Sequence, residues 1–279
     1  MASSTNNRYA LILGVSSGIG RASALSLARD GFNIIGVHLD RAAGLEAARA
    51  LQEELRSHGV EAHFFNVNAA DADRRAEVIE ATKNIFAERE GAQVSFMLHS
   101  LAFGSLLPLI PGVEGERTAT QKQINMTLDV MANSLVYWTQ DVLAAGLFGR
   151  GARIVAMSSN GATRVLPTYG IVSAAKAALE SYIRQLALEL APHGITANTL
   201  RAGVTVTPAL EKIPGNQVIQ SHAEMRNPHH RLTTPEDVAA MISLLAAEGS
   251  YWVNGACIIV DGGEDAVDLT WYGREDMMG

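Results

Sequence analysis

The stretch "LILGVSSGIGRA", residues 11–22, joins an apolar run to the start of a helical pattern through Gly14, Gly18 and Gly20. Glycine allows a tight turn and a close approach to the main chain, and the free N–H groups that open a helix attract phosphate. A strand, a glycine loop and a helix in this order therefore predict a dinucleotide-binding unit, although the spacing G-x-x-x-G-x-G differs from the G-x-G-x-x-G form. The residues predicted to contact the cofactor in this loop are Gly14, Ser16, Ser17, Gly18, Ile19 and Gly20.

Short apolar runs alternate with helical patterns along the whole chain. The apolar runs predict buried strands at 9–15, 33–39, 62–67, 94–100, 152–158, 195–201 and 256–262. The amphipathic patterns predict helices at about 42–58, 72–90, 121–146, 173–192 and 235–247, besides the one that follows the glycine loop. Strands that are apolar on both faces and alternate with helices indicate an α/β fold, a doubly wound parallel sheet of seven strands. No linker divides the chain, so we predict a single domain over residues 1–279.

The one long irregular region is about 203–233. A loop of this length inside a compact domain usually closes over a ligand, and the segment "TPALEKI", residues 207–213, is typical of a short helix. We therefore predict a substrate lid here; a disordered insertion is the alternative. His229 and His230 lie in this region, but adjacent side chains point apart, so we predict loop residues and no metal site.

The composition of the 279 residues excludes several classes of protein. Hydrophobic residues make up 48% and charged residues 18%, a globular balance, and the net charge of −7 comes without any basic block. Neither a nucleic acid nor a membrane is therefore the predicted partner. No stretch has the pattern of a signal peptide or the length of a membrane-spanning helix, which favours a cytoplasmic protein. The single cysteine, Cys257, rules out an internal disulfide, and its apolar neighbours predict a buried packing residue.

The stretch "VLPTYGIVSAAKAAL", residues 165–179, carries Tyr169 and Lys176 seven positions apart. Seven residues turn a helix by about 700°, within about 20° of two full turns, so both side chains share a face. A phenol and an ammonium that converge on one cofactor can move a proton, because a nearby cation favours the phenolate. A tyrosine that lies at a helix start by chance is the alternative.

Four motifs in order extend over essentially the whole chain: the glycine loop, "FFNV" at 64–67, the Tyr169–Lys176 pair and "VDGG" at 260–263. Together they resemble the short-chain dehydrogenase/reductase family. The resemblance implies a single Rossmann domain of seven strands, a nicotinamide cofactor and a homotetramer. It also implies further cofactor-binding positions, namely Asn66, Val67, Ser100, Leu101, Ala102, Lys176, Gly203, Thr205 and Thr207.

Ordinary ketoreductases of this family carry Y-x-x-x-K, but the residue four before Lys176 is Val172, and Y-x6-K is the spacing of the enoyl-acyl-carrier-protein reductases. Three other segments also resemble that branch. They are "HSLAFG" at 99–104, "LDVMANSLVYW" at 128–138, with Asp129 where ketoreductases usually place a catalytic asparagine, and "AGVTVT" at 202–207, which lacks the common Pro-Gly. The chain thus resembles the FabI-like and FabL-like enoyl reductases most closely.

Ser159 departs from this pattern. Many enoyl reductases have a second aromatic residue ten positions before the catalytic tyrosine, whereas here Ser159 stands there, seventeen before Lys176 as the ketoreductase serine does. The mixture resembles the NADPH-dependent FabL type, which lies between the two groups. Ser159 either hydrogen-bonds a substrate carbonyl or simply ends a strand.

The resemblance implies a reductase for trans-2-enoyl thioesters of acyl-carrier protein or coenzyme A in fatty acid synthesis. Hydride goes to the β-carbon and charge develops on the thioester oxygen, which accounts for a proton donor displaced by one helical turn. The implied catalytic residues are Tyr169 as proton donor or oxyanion stabiliser, Lys176 as a ribose ligand that lowers the pKa of the phenol, and Ser159. A ketoreductase or hydroxysteroid dehydrogenase of the same fold, and a dinucleotide-binding regulator without catalysis, are the alternatives.

The choice between the two nicotinamide cofactors depends on the residues after the second strand. Asp40 lies twenty residues after Gly20, where an acid binds the ribose 2′-hydroxyl of NAD. By family position the discriminating residue is His38 instead, and His38 and Arg41 suit the 2′-phosphate of NADP. These residues favour NADPH, with NADH as the second candidate.

Overall fold

The computed structural model describes residues 7–267 of the chain. Seven strands form one sheet: β1 Arg8–Leu13, β2 Asn33–His38, β3 Ala62–Asn66, β4 Gln93–His99, β5 Phe148–Ser159, β6 Thr196–Ala202 and β7 Cys257–Val260. Every neighbouring pair is parallel, and the order across the sheet is β3-β2-β1-β4-β5-β6-β7. The predicted doubly wound sheet is therefore confirmed, as a single Rossmann-type domain. The predicted bounds, 1–279, include residues 1–6 and 268–279, which lie outside the described residues.

Helices connect the strands on both faces of the sheet. Within the described part of the chain the α-helices are α1 Gly18–Arg29, α2 Ala42–Ser57, α3 Ala72–Ala87, α4 Gln121–Leu128, α5 Ser134–Ala144, α6 Gly170–Glu189, α7 Pro208–Glu211, α8 Asn216–Arg226 and α9 Pro235–Ala246. A π-helical turn, Asp129–Asn133, joins α4 to α5, so the helix predicted at 121–146 is one continuous helical element. Across residues 7–267, no helix combines the length and the apolar character that crossing a membrane requires.

The sheet is buried between two apolar cores, one on each face. Alternate residues of β1 show the arrangement: Leu11 and Leu13 belong to one core, together with Trp138 of α5, and Ala10 and Ile12 belong to the other. Because side chains of a strand alternate between the faces, a strand covered on both sides needs apolar residues at every position. This is why the central strands are continuous apolar runs in the sequence.

β7 forms one edge of the sheet, and this corrects the prediction for Cys257. The cysteine is exposed, and so is Ile259, with 51% of its surface accessible. An edge strand pairs on one side only, and the alternate positions Cys257 and Ile259 face away from the core. An apolar run in the sequence cannot distinguish such an edge strand from a central one.

The region predicted as a lid, 203–233, contains two helices. The short helix predicted at 207–213 is present as α7, whereas α8 is not predictable from periodicity, because it buries only Ala223. The region leaves the carboxyl end of β6, and Thr205 pairs with Thr233 in a bridge at its base. Among the described residues, no three His, Cys, Asp or Glu side chains cluster as metal ligands do. Because it follows the carboxyl end of β6, the region lies at the carboxyl end of the sheet, where doubly wound folds bind their ligands.

Candidate active site

The glycine loop between β1 and α1 is packed so tightly that two of its glycines have no room for a side chain. Gly14 has φ +91°, and a Cβ atom there would approach the carbonyl oxygen of Ser100 to 2.5 Å. A Cβ atom at Gly20 would collide with the carbonyl oxygen of Gly14. The N–H of Gly14 donates to the carbonyl of Val37 at 2.8 Å, which ties the loop to the end of β2. The loop therefore requires glycine at these positions.

The start of α1 is open towards this turn. Its N-cap residue, Ser17, makes no side-chain hydrogen bond to the helix, and the first turn carries no acidic side chain. The first N–H groups and the positive end of the helix dipole therefore face outwards for an anion. Thr207 lies against the same end, since a Cβ atom at Gly18 would be 3.1 Å from its Cγ2 atom. This cradle fits the pyrophosphate of a dinucleotide.

The ends of β2 and β3 carry the residues predicted to recognise the adenosine half of a cofactor. His38 is buried, and its Nδ1 atom lies 2.8 Å from a carboxylate oxygen of Asp40. Asn66 holds the main chain of Asp40 through two hydrogen bonds, of 2.9 and 3.0 Å. Val67 is buried and donates its N–H to the carbonyl of His38 at 2.8 Å. His38 and Asn66 thus position Asp40, whereas Arg41 is exposed and no described residue pairs with its guanidinium.

The segment after β4 lines the other side of the glycine loop. Ser100 donates its N–H to the carbonyl of Leu13 at 2.9 Å, and Leu101 offers its carbonyl to Lys176 at 3.3 Å. Ala102 follows and is exposed. The structure therefore brings Ser100 to the glycine loop and Leu101 to the predicted catalytic lysine.

The segment after β6 is packed closely at its start. A Cβ atom at Gly203 would lie 2.5 Å from the Oγ1 atom of Thr233, and the buried Thr205 donates its hydroxyl to the carbonyl of Gly203 at 2.9 Å. Thr207 caps α7 through its side chain, which accepts from the N–H of Leu210. The predicted cofactor positions of this segment therefore stand in a rigid turn beside α1.

A buried carboxylate after β7 holds the same segment. Glu264, 1% exposed, accepts a hydrogen bond from the N–H of Val204 at 3.0 Å. Its other oxygen accepts from the guanidinium of Arg226, in α8, at 3.0 Å. One carboxylate thus ties the start and the last helix of the 203–233 region to the chain after β7.

Tyr169 caps α6, and its ring packs on the turn that follows β5. A Cβ atom at Gly161 would collide with this ring, so the glycine makes room for the phenol. The hydroxyl of Tyr169 lies near the side chain of Ser159. Burial raises the pKa of Tyr169, and the nearby side chain of Ser159 lowers it only in part. The structure therefore brings Tyr169 and Ser159 together, with the phenol protonated at neutral pH.

The residue before this tyrosine has a strained backbone. Thr168 has φ +60°, a left-handed conformation that β-branched residues seldom adopt. Strain of this kind costs about 1–3 kcal/mol and persists where the surrounding contacts hold the chain, often at functional sites. The turn at 160–168 thereby sets the direction in which Tyr169 enters α6.

Lys176 is buried, and its ammonium donates to two main-chain carbonyls, that of Met157 at 2.7 Å and that of Leu101 at 3.3 Å. Burial lowers the pKa of this lysine to about 8. The resemblance implied that the ammonium lowers the pKa of Tyr169, but the pKa of the tyrosine is raised. The reason is that the phenol is buried, while the ammonium is directed to the carboxyl ends of β4 and β5. Val172, one turn before the lysine, is a buried core residue.

His99 ends β4 and is fully buried. Its Nε2 atom lies 2.8 Å from the hydroxyl of Ser134, and that hydroxyl donates to the carbonyl of Val130 at 2.8 Å, so Nε2 carries the hydrogen. Burial and then the charge of Lys176 lower the pKa of His99 to about 3. His99 is therefore a neutral anchor for the loop that begins at Ser100, and it does not exchange protons near neutral pH.

Because His99 is buried in its neutral form, we expect the protein to lose stability in acid. The unfolded chain binds this proton near pH 6.5 and the folded chain only near pH 3, so the free energy of unfolding falls as the pH drops below 6.5. From about pH 8 to about pH 5, this residue accounts for a loss of about 2 kcal/mol. Denaturant titrations at both pH values measure the loss, and His99→Asn should lack this part of it. An equal loss in the variant would contradict a neutral, buried His99.

Sequence reasoning misses three parts of this site. Gly161, which makes room for the phenol, is marked only as a glycine two residues after Ser159. Glu264 is visible as an acid directly after "VDGG", but nothing in the sequence connects it to α8. The carbonyls of Met157 and Leu101 belong to the main chain, so no residue type signals that they hold the lysine.

The sequence and the fold have counterparts among known proteins. A family model described as enoyl-(acyl carrier protein) reductase matches residues 14–264. The chain is 30% identical over 262 residues to 1-cyclohexenylcarbonyl-CoA reductase of Streptomyces collinus, covering 92% of this chain and 86% of that protein. It is 28% identical over 262 residues to an NADPH-dependent aldehyde reductase-like protein of Arabidopsis thaliana, covering 92% and 93%. The solved structure of the enoyl-[acyl-carrier-protein] reductase (NADH) of Aquifex aeolicus VF5 superposes with a TM-score of 0.78 at 26% identity, covering 94% of this chain and 98% of that one.

The parallel sheet with its glycine loop and the match to this family model define an oxidoreductase of the Rossmann class. The chain belongs to the short-chain dehydrogenase/reductase family, close to its enoyl-acyl-carrier-protein reductase branch. The predicted resemblance is thereby confirmed. Carbonyl reductases match the chain at similar identity, so family membership alone does not determine the substrate.

Proposed function

We propose that the chain is an NADPH-dependent reductase of trans-2-enoyl thioesters, carried by acyl-carrier protein or coenzyme A, in fatty acid synthesis. One observation carries the proposal. The position one turn before Lys176, which provides the tyrosine of ketoreductases, is the buried Val172, and the phenol at the site comes from Tyr169 instead. Two relatives, one a CoA thioester reductase by name and one an acyl-carrier-protein reductase, support the same class of substrate.

The proposed reaction needs a hydride, a proton and a place for negative charge. A bound reduced nicotinamide would supply the hydride to C3 of the enoyl thioester. Negative charge would then develop on the thioester oxygen, where the Tyr169 hydroxyl would donate a hydrogen bond and then its proton. The resulting enol would take a proton from water at C2 and lose its O–H proton to water, which gives the saturated thioester. Burial supports this role, because it keeps the phenol protonated until the charge appears.

Ser159 and Lys176 would orient the reacting groups. Ser159 lies near the Tyr169 hydroxyl and accepts the N–H of Gly161 at 3.1 Å, so it would hold the phenol in one direction. Of the two sequence-based alternatives for Ser159, we therefore favour a functional role over a strand end. Lys176, held by the carbonyls of Met157 and Leu101, would donate to the ribose hydroxyls of the cofactor.

The loops around the site would bind the acyl chain. The segments after β4, β5 and β6 leave the same edge of the sheet and carry exposed apolar side chains, which are Phe103, Leu109, Ile110, Val113, Val165, Leu166, Val206, Val218 and Met225. Single exposed apolar residues are ordinary, but a group of them on neighbouring loops is typical of a binding surface. In this proposal the 203–233 region is the lid that closes over the acyl chain.

The proposed cofactor is NADPH, with NADH as the second candidate. Arg41 is exposed beside the His38–Asp40 pair, and a guanidinium binds phosphate through two parallel hydrogen bonds. Arg41→Ala is therefore expected to raise the KM for NADPH by roughly ten-fold and to leave the KM for NADH unchanged. Steady-state kinetics with both cofactors measure this change in KM. Arg29→Ala is the control for a lost positive charge, because Arg29 is the last residue of α1, at the end opposite the glycine loop. Equal effects on the two cofactors would contradict recognition of the 2′-phosphate.

The proposed assembly is a homotetramer. Its support is an exposed apolar surface beside the edge strand β7, formed by Leu244, Tyr251, Trp252 and Ile259. Trp252 is 86% exposed. An apolar surface next to a strand that pairs on one side only commonly contacts another chain. Light scattering should give four times the chain mass of 29.7 kDa.

A ketoreductase is the second candidate function, and one observation favours it. Ser159 lies near the Tyr169 hydroxyl, and the resemblance to ketoreductases includes a serine at this position. An aldehyde reductase-like relative matches the chain over nearly its whole length. This candidate requires the carbonyl carbon, rather than C3 of an enoyl thioester, to lie beside the nicotinamide.

Oxidation of NADPH in the presence of crotonyl-CoA or acetoacetyl-CoA separates the two functions. The proposal predicts turnover of crotonyl-CoA, with a kcat/KM for acetoacetyl-CoA that is lower by roughly ten-fold or more. Turnover of acetoacetyl-CoA alone would establish the second candidate. Binding of NADPH without turnover of either thioester would favour a regulator without catalysis.

A further inference from the structure

Behind Lys176 lies a polar cluster that the proposed reaction does not use. Glu180 follows Lys176 by four residues on α6, so both side chains lie on one face of the helix. The carboxylate of Glu180 accepts the hydroxyl of Ser158, on β5, at 2.5 Å and the guanidinium of Arg201, on β6, at 2.8 and 3.0 Å. The side chains of Glu180 and Arg201 are each 12% exposed. Three elements of the fold therefore meet at one largely buried carboxylate.

This cluster is adjacent to the ammonium of Lys176. The lysine donates to the carbonyl of Met157, and the next residue of β5, Ser158, donates to Glu180. In the described part of the chain, no carboxylate forms an ion pair with Lys176, whose hydrogen-bond partners are carbonyls. Burial lowers the pKa of the lysine, and the negative charge of Glu180 acts in the opposite direction.

We propose that Glu180 is a positioning residue for Lys176: held in place by Ser158 and Arg201, its carboxylate keeps the lysine protonated and able to donate to the cofactor ribose. The inference rests on the role given to Lys176 in the proposed function. It does not depend on which substrate is reduced, since the lysine acts on the cofactor in either candidate reaction.

The other titratable groups around this pair are neutral, apart from Arg201, which opposes Glu180, and Asp265, whose charge acts on Arg201. The neutral groups are His99 on β4, Tyr169 at the start of α6 and Cys257 on β7. Burial shifts the pKa of His99 and Tyr169 towards the uncharged form, and partial desolvation raises the pKa of the Cys257 thiol, although the residue is exposed. Burial disfavours the charge of Arg201, but hydrogen bonds with Glu180 outweigh it, so the pKa of this guanidinium is raised. Asp265 acts on Arg201 from the segment after β7. Among the described residues, Glu180 is thus the group that favours the charged form of Lys176.

An NMR titration tests the inference without cofactor or substrate. The chain has four lysines, and the three besides Lys176 are exposed, so with ε-¹³C-labelled lysine the buried residue is the signal that titrates near pH 8. Glu180→Gln is expected to lower this midpoint by roughly one pH unit, because the opposite charge is lost. Glu189→Gln removes an exposed carboxylate from the same helix and is expected to leave the midpoint unchanged.

A second variant should shift the lysine in the opposite direction. Arg201→Gln removes the positive charge that offsets Glu180, so the midpoint of Lys176 is expected to rise. Fluorescence titration with NADPH gives the functional readout, since affinity declines as the lysine loses its proton. The alkaline limb of the binding profile should move to lower pH in Glu180→Gln and to higher pH in Arg201→Gln.

The outcomes distinguish this inference from a structural role and from the proposed function. An unchanged Lys176 midpoint in Glu180→Gln, with only a lower melting temperature, would make Glu180 a structural residue and overturn the inference. If Glu180→Gln does not fold, an unchanged midpoint in Arg201→Gln overturns it equally. If both midpoints shift as expected and crotonyl-CoA is not reduced, the inference stands and the proposed substrate is wrong.

Discussion

Tyr169→Phe is expected to lower the kcat for an enoyl thioester by a factor of about 10²–10⁴ and to leave the affinity for NADPH unchanged. The phenylalanine ring keeps the packing against Gly161, and the change removes only the hydroxyl beside Ser159. The fold should therefore persist. A loss in kcat without a change in cofactor binding assigns the hydroxyl to the chemical step.

Two further variants make this result specific. Tyr251→Phe removes only a phenolic hydroxyl and keeps the apolar ring that the proposed tetramer surface uses, so it should keep full activity. Ser159→Ala should reduce kcat less than Tyr169→Phe does, and the double variant should lose little more than Tyr169→Phe alone, because the serine acts through the tyrosine. Activity of Tyr169→Phe within about a factor of two of the parent would remove the phenol from the mechanism.

Lys176→Met is expected to weaken the binding of NADPH by roughly 10- to 100-fold, because a charged donor to the ribose is lost. The methionine side chain has a similar length and suits the buried position, so the protein should still fold. In this variant the main-chain carbonyls of Met157 and Leu101 lose their hydrogen-bond donor. This loss offsets part of the stability that is gained by removing a buried charge.

The difference in free energy of unfolding between Lys176→Met and the parent should depend on pH. The pKa of Lys176 is lowered from 10.5 to about 8 in the folded chain, so burial of its charge destabilises the parent below pH 8. As the pH rises from 8 to 10.5, the folded protein loses this proton before the unfolded chain does, and the penalty disappears. The parent should therefore gain about 3 kcal/mol in free energy of unfolding relative to Lys176→Met over this range.

Urea titrations of both proteins between about pH 7.5 and pH 10.5, without cofactor, measure this difference. Because every other titrating group is shared, the difference between the two curves isolates Lys176. A difference that stays constant with pH would mean that the lysine is not buried in its charged form. Unchanged NADPH affinity in Lys176→Met would independently remove the lysine from the cofactor site.

The sheet is predictable from the sequence because burial on both faces leaves a clear pattern. All six residues of β2, from Asn33 to His38, are buried, and so short a run of this character is typical of a parallel strand. The same pattern in β7 correctly predicts a strand but wrongly predicts a buried Cys257. Whether an apolar strand lies at an edge depends on what pairs with it, and the local sequence does not contain that information.

The helices also differ in how well the sequence predicts them. α1 has a stripe of buried residues that includes Ala22, Leu25 and Ala28, so periodicity predicts it. α8 has no such stripe, and its Arg226 is tied to Glu264, far along the chain. A helix that depends on distant contacts rather than on its own apolar face is not visible to a periodicity argument.

At the site, residue types and spacing are predictable and their environments are not. The tight turn at Gly14 follows from a motif that lies within a short stretch, whereas the sequence leaves open whether Ser159 contacts a substrate carbonyl or ends a strand. The raised pKa of Tyr169 comes from burial, and the carbonyl partners of Lys176 lie 75 and 19 residues away in the sequence, so neither is visible in the local sequence. The polar cluster at Glu180 likewise forms only when three elements meet.

The route of the hydride tests the proposed function most directly. NADPH carrying deuterium at both C4 positions is oxidised with crotonyl-CoA, and the product is examined by mass spectrometry and NMR. An enoyl reductase built on Tyr169 yields butyryl-CoA with deuterium at C3, and Tyr169→Phe yields almost none. Deuterium on the carbinol carbon of 3-hydroxybutyryl-CoA formed from acetoacetyl-CoA, with crotonyl-CoA left intact, would contradict the proposal.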